Sequence, residues 1–372
     1  MQFKELIGRD ETKETFVRLE KTKKLPHAFL ILAKEGMGGL PFSLALAQYL
    51  QCENKTNDDS CGVCHSCVGA QKLQHPDIHF VFPVFNKDAN KKYTSADFII
   101  PFRKFVEEQP YGNIRDWLDL AGAENKKPNI SSQEAHDLIK KLYLTSLTNS
   151  YKVAIIWLPE YLGKEGNVLL KLIEEPPKNT VMIFVAEQQD HLLMTIQSRL
   201  QLFVLKPFTK IEIKNGLEKM NIDENQQILI SRIAEGNWRK ALQFLSSSNN
   251  NELVIFKNLL NAIFTQNGIL LGKWLKEMND LNKESVKQFL LYFQQIMELA
   301  LRRMNNFSLV DSLLKDEIDI VEKLISKKLN AKKVELINEK INDSLYAIER
   351  NANMKILLHS FSLHCQDALL AK

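Results

Sequence analysis

His27-Ala28-Phe29-Leu30-Ile31-Leu32-Ala33-Lys34-Glu35-Gly36-Met37-Gly38-Gly39-Leu40 is the stretch on which the fold turns. Its first six residues are a short continuous apolar run bounded by Pro26 and a glycine loop, the pattern of a buried parallel strand. The loop stands where a phosphate-binding loop, G-x-x-x-x-G-K-[S/T], would follow such a strand. In a working loop the backbone N–H groups cradle phosphates, the lysine neutralises their charge and the hydroxyl holds Mg²⁺. Here Gly36 and Gly38 remain, Gly39 takes the lysine's place and Leu40 the hydroxyl's. Pro41 suits a first helical turn, and residues 42–50 continue as a largely apolar helix. Strand, loop and helix make a βα unit whose loop keeps its shape and has lost its chemistry.

Outward from this unit, Val153–Leu158 and Val181–Ala186 read as two more buried strands. A helix from Asn167 to Glu174 lies between them and is ended by Pro176-Pro177. Such alternation predicts an α/β domain with a mostly parallel sheet covered on both faces. The polar stretch at about 86–132, with Asn125-Lys-Lys-Pro128, reads as an irregular surface insertion. Beyond Pro207 the patterns are helical, and Asn249-Asn250-Asn251 after three serines reads as a linker. Val286, Phe289, Leu290, Phe293, Ile296, Met297, Ala300 and Leu301 form one helical stripe; Val334, Ile337, Ile341, Leu345 and Ile348 form another. These stripes suit a bundle core or, alternatively, an oligomer contact. The expected domains are 1–207, 208–248 and 252–372.

The chain has 372 residues, 45% apolar and 25% charged, an ordinary globular composition. No apolar run approaches the roughly 18 residues of a membrane span, and the first residues lack a signal-peptide core. The expected location is cytoplasmic, with no membrane partner. A net charge of +4 does not diagnose nucleic-acid binding. The lysine clusters at Lys21/Lys23/Lys24, Lys91/Lys92 and Lys327/Lys328 read as solvated faces.

Four of the five cysteines, Cys52, Cys61, Cys64 and Cys67, fall within sixteen residues. Two successive C-x2-C steps wrap an ion, and Cys52 closes the shell from the end of the preceding helix. Four thiolates suit a structural Zn²⁺ with no open coordination position. Iron–sulfur ligation and free thiols are the alternatives; Val68 stands where a cluster motif usually has proline. His65 is surplus to a four-cysteine shell.

These residues, in order, resemble the bacterial clamp-loader ATPase family. The resemblance rests on His27-Ala28-Phe29-Leu30 before the glycine loop, the cysteine module, and His75-Pro76-Asp77. It continues through Asn167 to Glu174-Glu175-Pro176-Pro177, then Ser198-Arg199-Leu200 in place of a Ser-Arg-Cys motif, and finally Gly236-Asn237-Trp238-Arg239-Lys240-Ala241-Leu242. It covers residues 7–242. It implies an AAA+-type P-loop domain with an inserted zinc module at 52–67, a small helical lid domain and an all-α C-terminal collar.

The departures from the family pattern also carry information. Trp157 and Leu158 occupy the places of the acids that position Mg²⁺ and water, and Glu160 lies too far along to replace them. Ala186 stands where a polar residue would sense the γ-phosphate. The resemblance therefore implies a non-hydrolysing stator with no tightly bound ATP, Gly36, Gly38 and Gly39 being remnants of a site.

By resemblance, Arg199 reaches in trans to ATP on a neighbour as an arginine finger; read alone, it is a surface arginine. Arg239 corresponds to a nucleotide-contacting lid arginine and, without a competent loop, reads as a helix-surface residue. The implied partners are the DNA polymerase III motor (gamma/tau) and clamp-opening (delta) subunits in a hetero-pentamer. Through that complex come the sliding clamp and primed DNA, contacted without sequence preference. An active motor with a diverged loop and a zinc-stabilised protein-binding adaptor are the competing readings.

Overall fold

Alternation along each strand decides the layering. In the computed structural model, Phe29 and Ile31 of strand β1 (Ala28–Leu32) face one core, together with Val153, Ile155 and Trp157 of β3 (Lys152–Trp157) and Val181, Ile183 and Val185 of β4 (Thr180–Ala186). Leu30, Ala154, Ile156, Met182, Phe184 and Ala186 face a second core on the other side. Side chains that alternate between two buried faces make a sheet covered by helices on both. With β2 (Ile78–Val81) and β5 (Gln201–Val204) the order is β2-β3-β4-β1-β5, every pairing parallel. This is the expected α/β fold of AAA+ type, with the glycine loop at the carboxyl end of a central strand.

The described residues are 1–86, 92–123, 126–146, 150–247, 252–305, 315–350 and 352–370. Lys91, Asn125 and the Asn249–Asn251 linker lie outside them. The chain forms two compact units, Met1–Gly216 with Gly236–Arg239, and Leu217–Glu235 with Lys240–Lys372. Residues expected to form the lid, 208–248, therefore fall in both.

In the first unit, α1 (Asp10–Lys21) and α2 (Gly39–Gln51) cover the first core, and α3 (His65–Gln71) closes the cysteine module. The stretch expected as an irregular insertion is instead structured. It holds α4 (Ile99–Glu108) and α5 (Ile114–Ala121), and Phe98, Phe102, Phe105 and Trp117 are fully buried in the sheet's first core. Phe102 stacks on Phe82 with ring centroids 3.8 Å apart, and Trp117 Nε1 donates to the Pro83 carbonyl at 2.8 Å. The apolar spacing 98-102-105 is helical, and Asn113-x-x-Asp116 forms a capping box; the surrounding lysines and asparagines obscured both.

The second core is covered by α6 (Ser132–Tyr143), α7 (Leu170–Glu174) and α8 (Met194–Gln197). The helix expected from Asn167 begins as α only at Leu170, after a 3₁₀ stretch kinked at Gly163. Three helices follow β5: α9 (Lys210–Lys219), α10 (Glu224–Ile233) and α11 (Trp238–Ser247).

The second unit is helical among its described residues, adding α12 (Glu252–Phe264), α13 (Gly268–Asp280), α14 (Lys283–Met304), α15 (Lys315–Ser326), α16 (Ala331–Glu349) and α17 (Met354–Leu370). The α14 stripe from Val286 to Ala300 is buried, as are Val334, Ile337, Ile341 and Ile348 of α16. Both stripes therefore serve this unit's own core. No helix among the described residues is long and apolar enough to cross a membrane.

Candidate functional site

Gly36 (φ +71) and Gly38 (φ +80) hold the loop in left-handed conformations that favour glycine. The loop keeps its curve, and its surroundings have closed in. A Cβ on Gly36 would meet Asn237 Oδ1 at 1.8 Å, and one on Gly38 would meet Tyr111 Cε1 at 3.0 Å. Asn237 Nδ2 donates to the Glu35 carbonyl at 3.0 Å, and the Trp238 N–H donates to the Gly36 carbonyl at 3.0 Å.

At Gly39, the lysine position, a Cβ would meet Val185 Cγ1 at 2.9 Å and the Ala33 Cβ at 3.0 Å. The missing lysine is thus matched by missing space. Leu40, in the hydroxyl's place, is buried in the first core. The cavity left over the loop, lined among others by Glu35, Gly38, Tyr111, Trp157, Val185 and Glu187, measures about 20 Å³. That is room for roughly one water molecule.

Carboxylates also crowd this cleft. Arg239 is held by two carboxylates: its Nη2 donates to Asp116 Oδ1 at 2.7 Å, and its Nη1 lies 3.6 Å from Glu35 Oε1. Asn113 Nδ2 donates to Glu35 Oε2 at 2.8 Å. Glu187, which lines the cavity, is pushed up to about 7 by burial and by the neighbouring Glu35 and Glu160 carboxylates. Glu35 and Glu187, with Lys34, thus line the place where a phosphate would need cations. Sequence reasoning missed Tyr111, Asn113 and Asp116, which lie in the stretch read as an insertion.

The two positions expected from the resemblance to carry acids hold apolar side chains. Trp157 is 4% exposed, with Phe105 and Phe102 at ring-centroid distances of 5.5 and 5.9 Å. Leu158 is buried and takes φ +55. Glu160 turns away to cap the end of β4: its Oε1 accepts from the Gln188 N–H at 2.9 Å and from the Glu187 N–H. Ala186 is fully buried.

Arg199 lies elsewhere. It follows α8 and enters β5, whose register with β1 begins at Phe29↔Gln201. Arg199 is therefore at the amino end of the parallel strands, and the glycine loop is at their carboxyl end. Four or five strand residues separate the two levels, roughly 15 Å, so Arg199 cannot serve its own loop. Its Nε donates to Glu174 Oε1 at 2.6 Å and its Nη1 to the Thr195 carbonyl at 2.9 Å. Both partners in the Arg199–Glu174 pair are exposed.

The structure brings the four cysteines together, their Sγ atoms all within 4.8 Å of one another. A Zn–S bond of about 2.3 Å in a tetrahedron puts sulfurs about 3.8 Å apart, and Cys61 and Cys67 Sγ stand 3.9 Å apart. Backbone N–H groups already point at the sulfurs: Cys61 N–H to Cys52 at 3.2 Å, Cys64 N–H to Cys61 at 3.3 Å and Cys67 N–H to Cys64 at 3.4 Å. Such donors favour thiolates. Those from Val63 and Cys64 bring Cys61 down to about 6, whereas burial raises Cys52 and Cys67. The donor set suits a thiophilic metal such as zinc; His65 is exposed on α3.

The family model described as "DNA polymerase III, delta subunit" matches residues 8–209, more than half of the chain. The chain belongs to the DNA polymerase III clamp-loader subunit family. Among its relatives, the DNA polymerase III subunit delta′ of Haemophilus influenzae is 29% identical over 203 residues, covering 55% of this chain and 50% of that protein. Subunit tau of Bacillus subtilis is 23% identical over 290 residues, covering 76% of this chain and 44% of that protein. Subunit delta′ of Escherichia coli is 23% identical over 281 residues, covering 74% and 70%. The chain thus spans about half the length of the first two relatives. Relatives named delta′ and tau both match, so within the clamp-loader family the choice of member rests on the geometry of the cleft.

Proposed function

We propose that this chain is the delta′-type stator of a DNA polymerase III clamp loader, which neither binds nor hydrolyses ATP itself. The observation that carries this reading is the cleft: a cavity of about 20 Å³ with no space for a side chain at Gly39. Phosphoryl transfer depends on placed positive charge and metal ions. Here Trp157 stands in an acid's place, the Glu35 and Glu187 carboxylates on the lining repel phosphate, Lys34 stands beside them, and Arg239 is already paired with Asp116 and Glu35. The motor reading would require all of these to move together.

In the proposed assembly, Arg199 serves a neighbouring motor. Support comes from its position at the strand end away from its own loop and from its exposure beside Glu174. The planar, permanently charged guanidinium suits a γ-phosphate, and the exposed Glu174 pair costs little to exchange for it. Zn²⁺ bound by Cys52, Cys61, Cys64 and Cys67 would be structural, since four sulfurs leave no position for substrate. Contact with primed DNA, where made, would be to backbone phosphates and independent of sequence.

The test is reconstitution with a gamma/tau-type motor and a delta-type clamp-opening subunit. Stoichiometric co-elution of all three is the expected result. A chain that elutes alone, with the other two assembling fully without it, would support the zinc-stabilised adaptor reading instead.

A further inference from the structure

The segment Gln2–Arg9 joins the cysteine module to the glycine loop. At the outer end, Asp59 and Ser60 lie in the loop between Cys52 and Cys61. Asp59 Oδ1 accepts from the Phe3 N–H at 3.0 Å and its Oδ2 from the Lys4 N–H at 3.0 Å. Gln2 Nε2 donates to the Ser60 carbonyl at 2.6 Å. The Gln2 side chain also fills the space at Gly62, between Cys61 and Cys64, where a Cβ would meet its Oε1 at 2.6 Å. Gln2, Phe3, Asp59 and Ser60 are all buried, so these bonds are costly to leave unmade.

At the inner end, the Ile7 N–H donates to Tyr111 Oη at 3.1 Å, and the Tyr111 ring is what crowds Gly38. Arg9 Nη2 donates to the Met37 carbonyl at 2.5 Å and Nη1 to the Lys206 carbonyl at 2.6 Å. The Arg9 guanidinium lies 4.0 Å from the Phe208 ring centroid. Arg9 therefore binds a carbonyl inside the glycine loop itself.

We infer that residues 2–9 are a strap whose outer end is positioned by the metal-binding loop, so that metal held by the four cysteines keeps the glycine-loop cleft closed. The inference rests on reading the cysteines as a metal site. Metal ties Cys52 to Cys61 and so fixes the loop that carries Asp59 and Ser60. Without it the acceptors of Gln2, Phe3 and Lys4 are held only by the loop's other bonds, such as Gln48 to Ser60 and Lys55 to Glu20. The strap meanwhile keeps Phe3 packed on Phe42 and Tyr49 and its inner anchors at Ile7 and Arg9. Asp59 is a positioning residue: it ligates nothing and orders the strap.

Hydrogen exchange on the full chain tests this, with metal content measured on the same samples. Three states are compared: zinc-loaded wild type, chelator-treated wild type, and zinc-loaded Asp59→Ala. Exchange in residues 2–9 and in the glycine loop, residues 33–39, is expected to accelerate by about tenfold in both altered states, the effect of losing one or two buried hydrogen bonds. Asp59→Ala should keep one zinc per chain, and α16 should exchange unchanged throughout. Zinc bound, with residues 2–9 unmoved when it is removed or when Asp59 is replaced, overturns the strap. A chain purified with zinc in the medium that carries none overturns the metal reading, and the inference with it.

Discussion

If this chain is the proposed stator, replacing Arg199 with alanine is expected to slow ATP hydrolysis at the neighbouring motor site by roughly a thousandfold, the lower end of what arginine fingers contribute. The measurement needs an assembly in which that neighbour carries the sole working phosphate loop, so that other sites do not mask the loss. The folded chain itself should be indifferent. Arg199 and Glu174 form an exposed pair, and such pairs contribute about 0–1 kcal/mol. Its melting temperature should therefore barely change. Glu174→Ala separates the two roles, since it removes the same pair and leaves the guanidinium in place. Turnover near normal in Glu174→Ala and lost in Arg199→Ala identifies a finger. Unchanged turnover in both identifies a surface arginine.

The second large effect concerns repair of the lost site. Trp157→Asp places an acid where the family resemblance expects one, and here it should destabilise the sheet domain rather than revive the site. Trp157 is 4% exposed among Phe102, Phe105 and the sheet's first core. Truncating a buried tryptophan costs about 3–5 kcal/mol, and an unpaired carboxylate in the same place adds a desolvation penalty. Near 2–4 °C per kcal/mol for a domain of this size, the melting temperature should fall by roughly 10 °C or more. Trp157→Phe, which keeps most of the apolar contact, should lose far less. A Trp157→Asp chain as stable as wild type would show that the aromatic cluster does not hold the cleft shut.

These two effects also mark where the sequence was readable. The buried strands were legible because their apolar runs are continuous, and the loop because Gly36 and Gly38 hold positive φ. The cysteine cluster was legible from spacing alone, since two C-x2-C steps leave little geometric choice. What filled the vacated site was not legible. Tyr111, Asn113 and Asp116 reach the glycine loop only through the tertiary placement of α4 and α5, and their local sequence is polar enough to read as surface. Arg239 was read as an ordinary helix-surface residue; its Asp116 and Glu35 partners lie far away in sequence. The closing of Gly39 by Val185 and Ala33 depends on the pairing of β1 with β4, which no single sequence specifies.

On the proposed stator reading this cleft accepts no nucleotide, and what the chain contributes to ATP use it contributes to a neighbour. Calorimetric titration of Mg²⁺–ATP into the full, zinc-loaded chain tests it most directly. No saturable heat up to about 1 mM, an affinity weaker than about −4 kcal/mol, is the predicted result. One-to-one binding at micromolar concentration would contradict it.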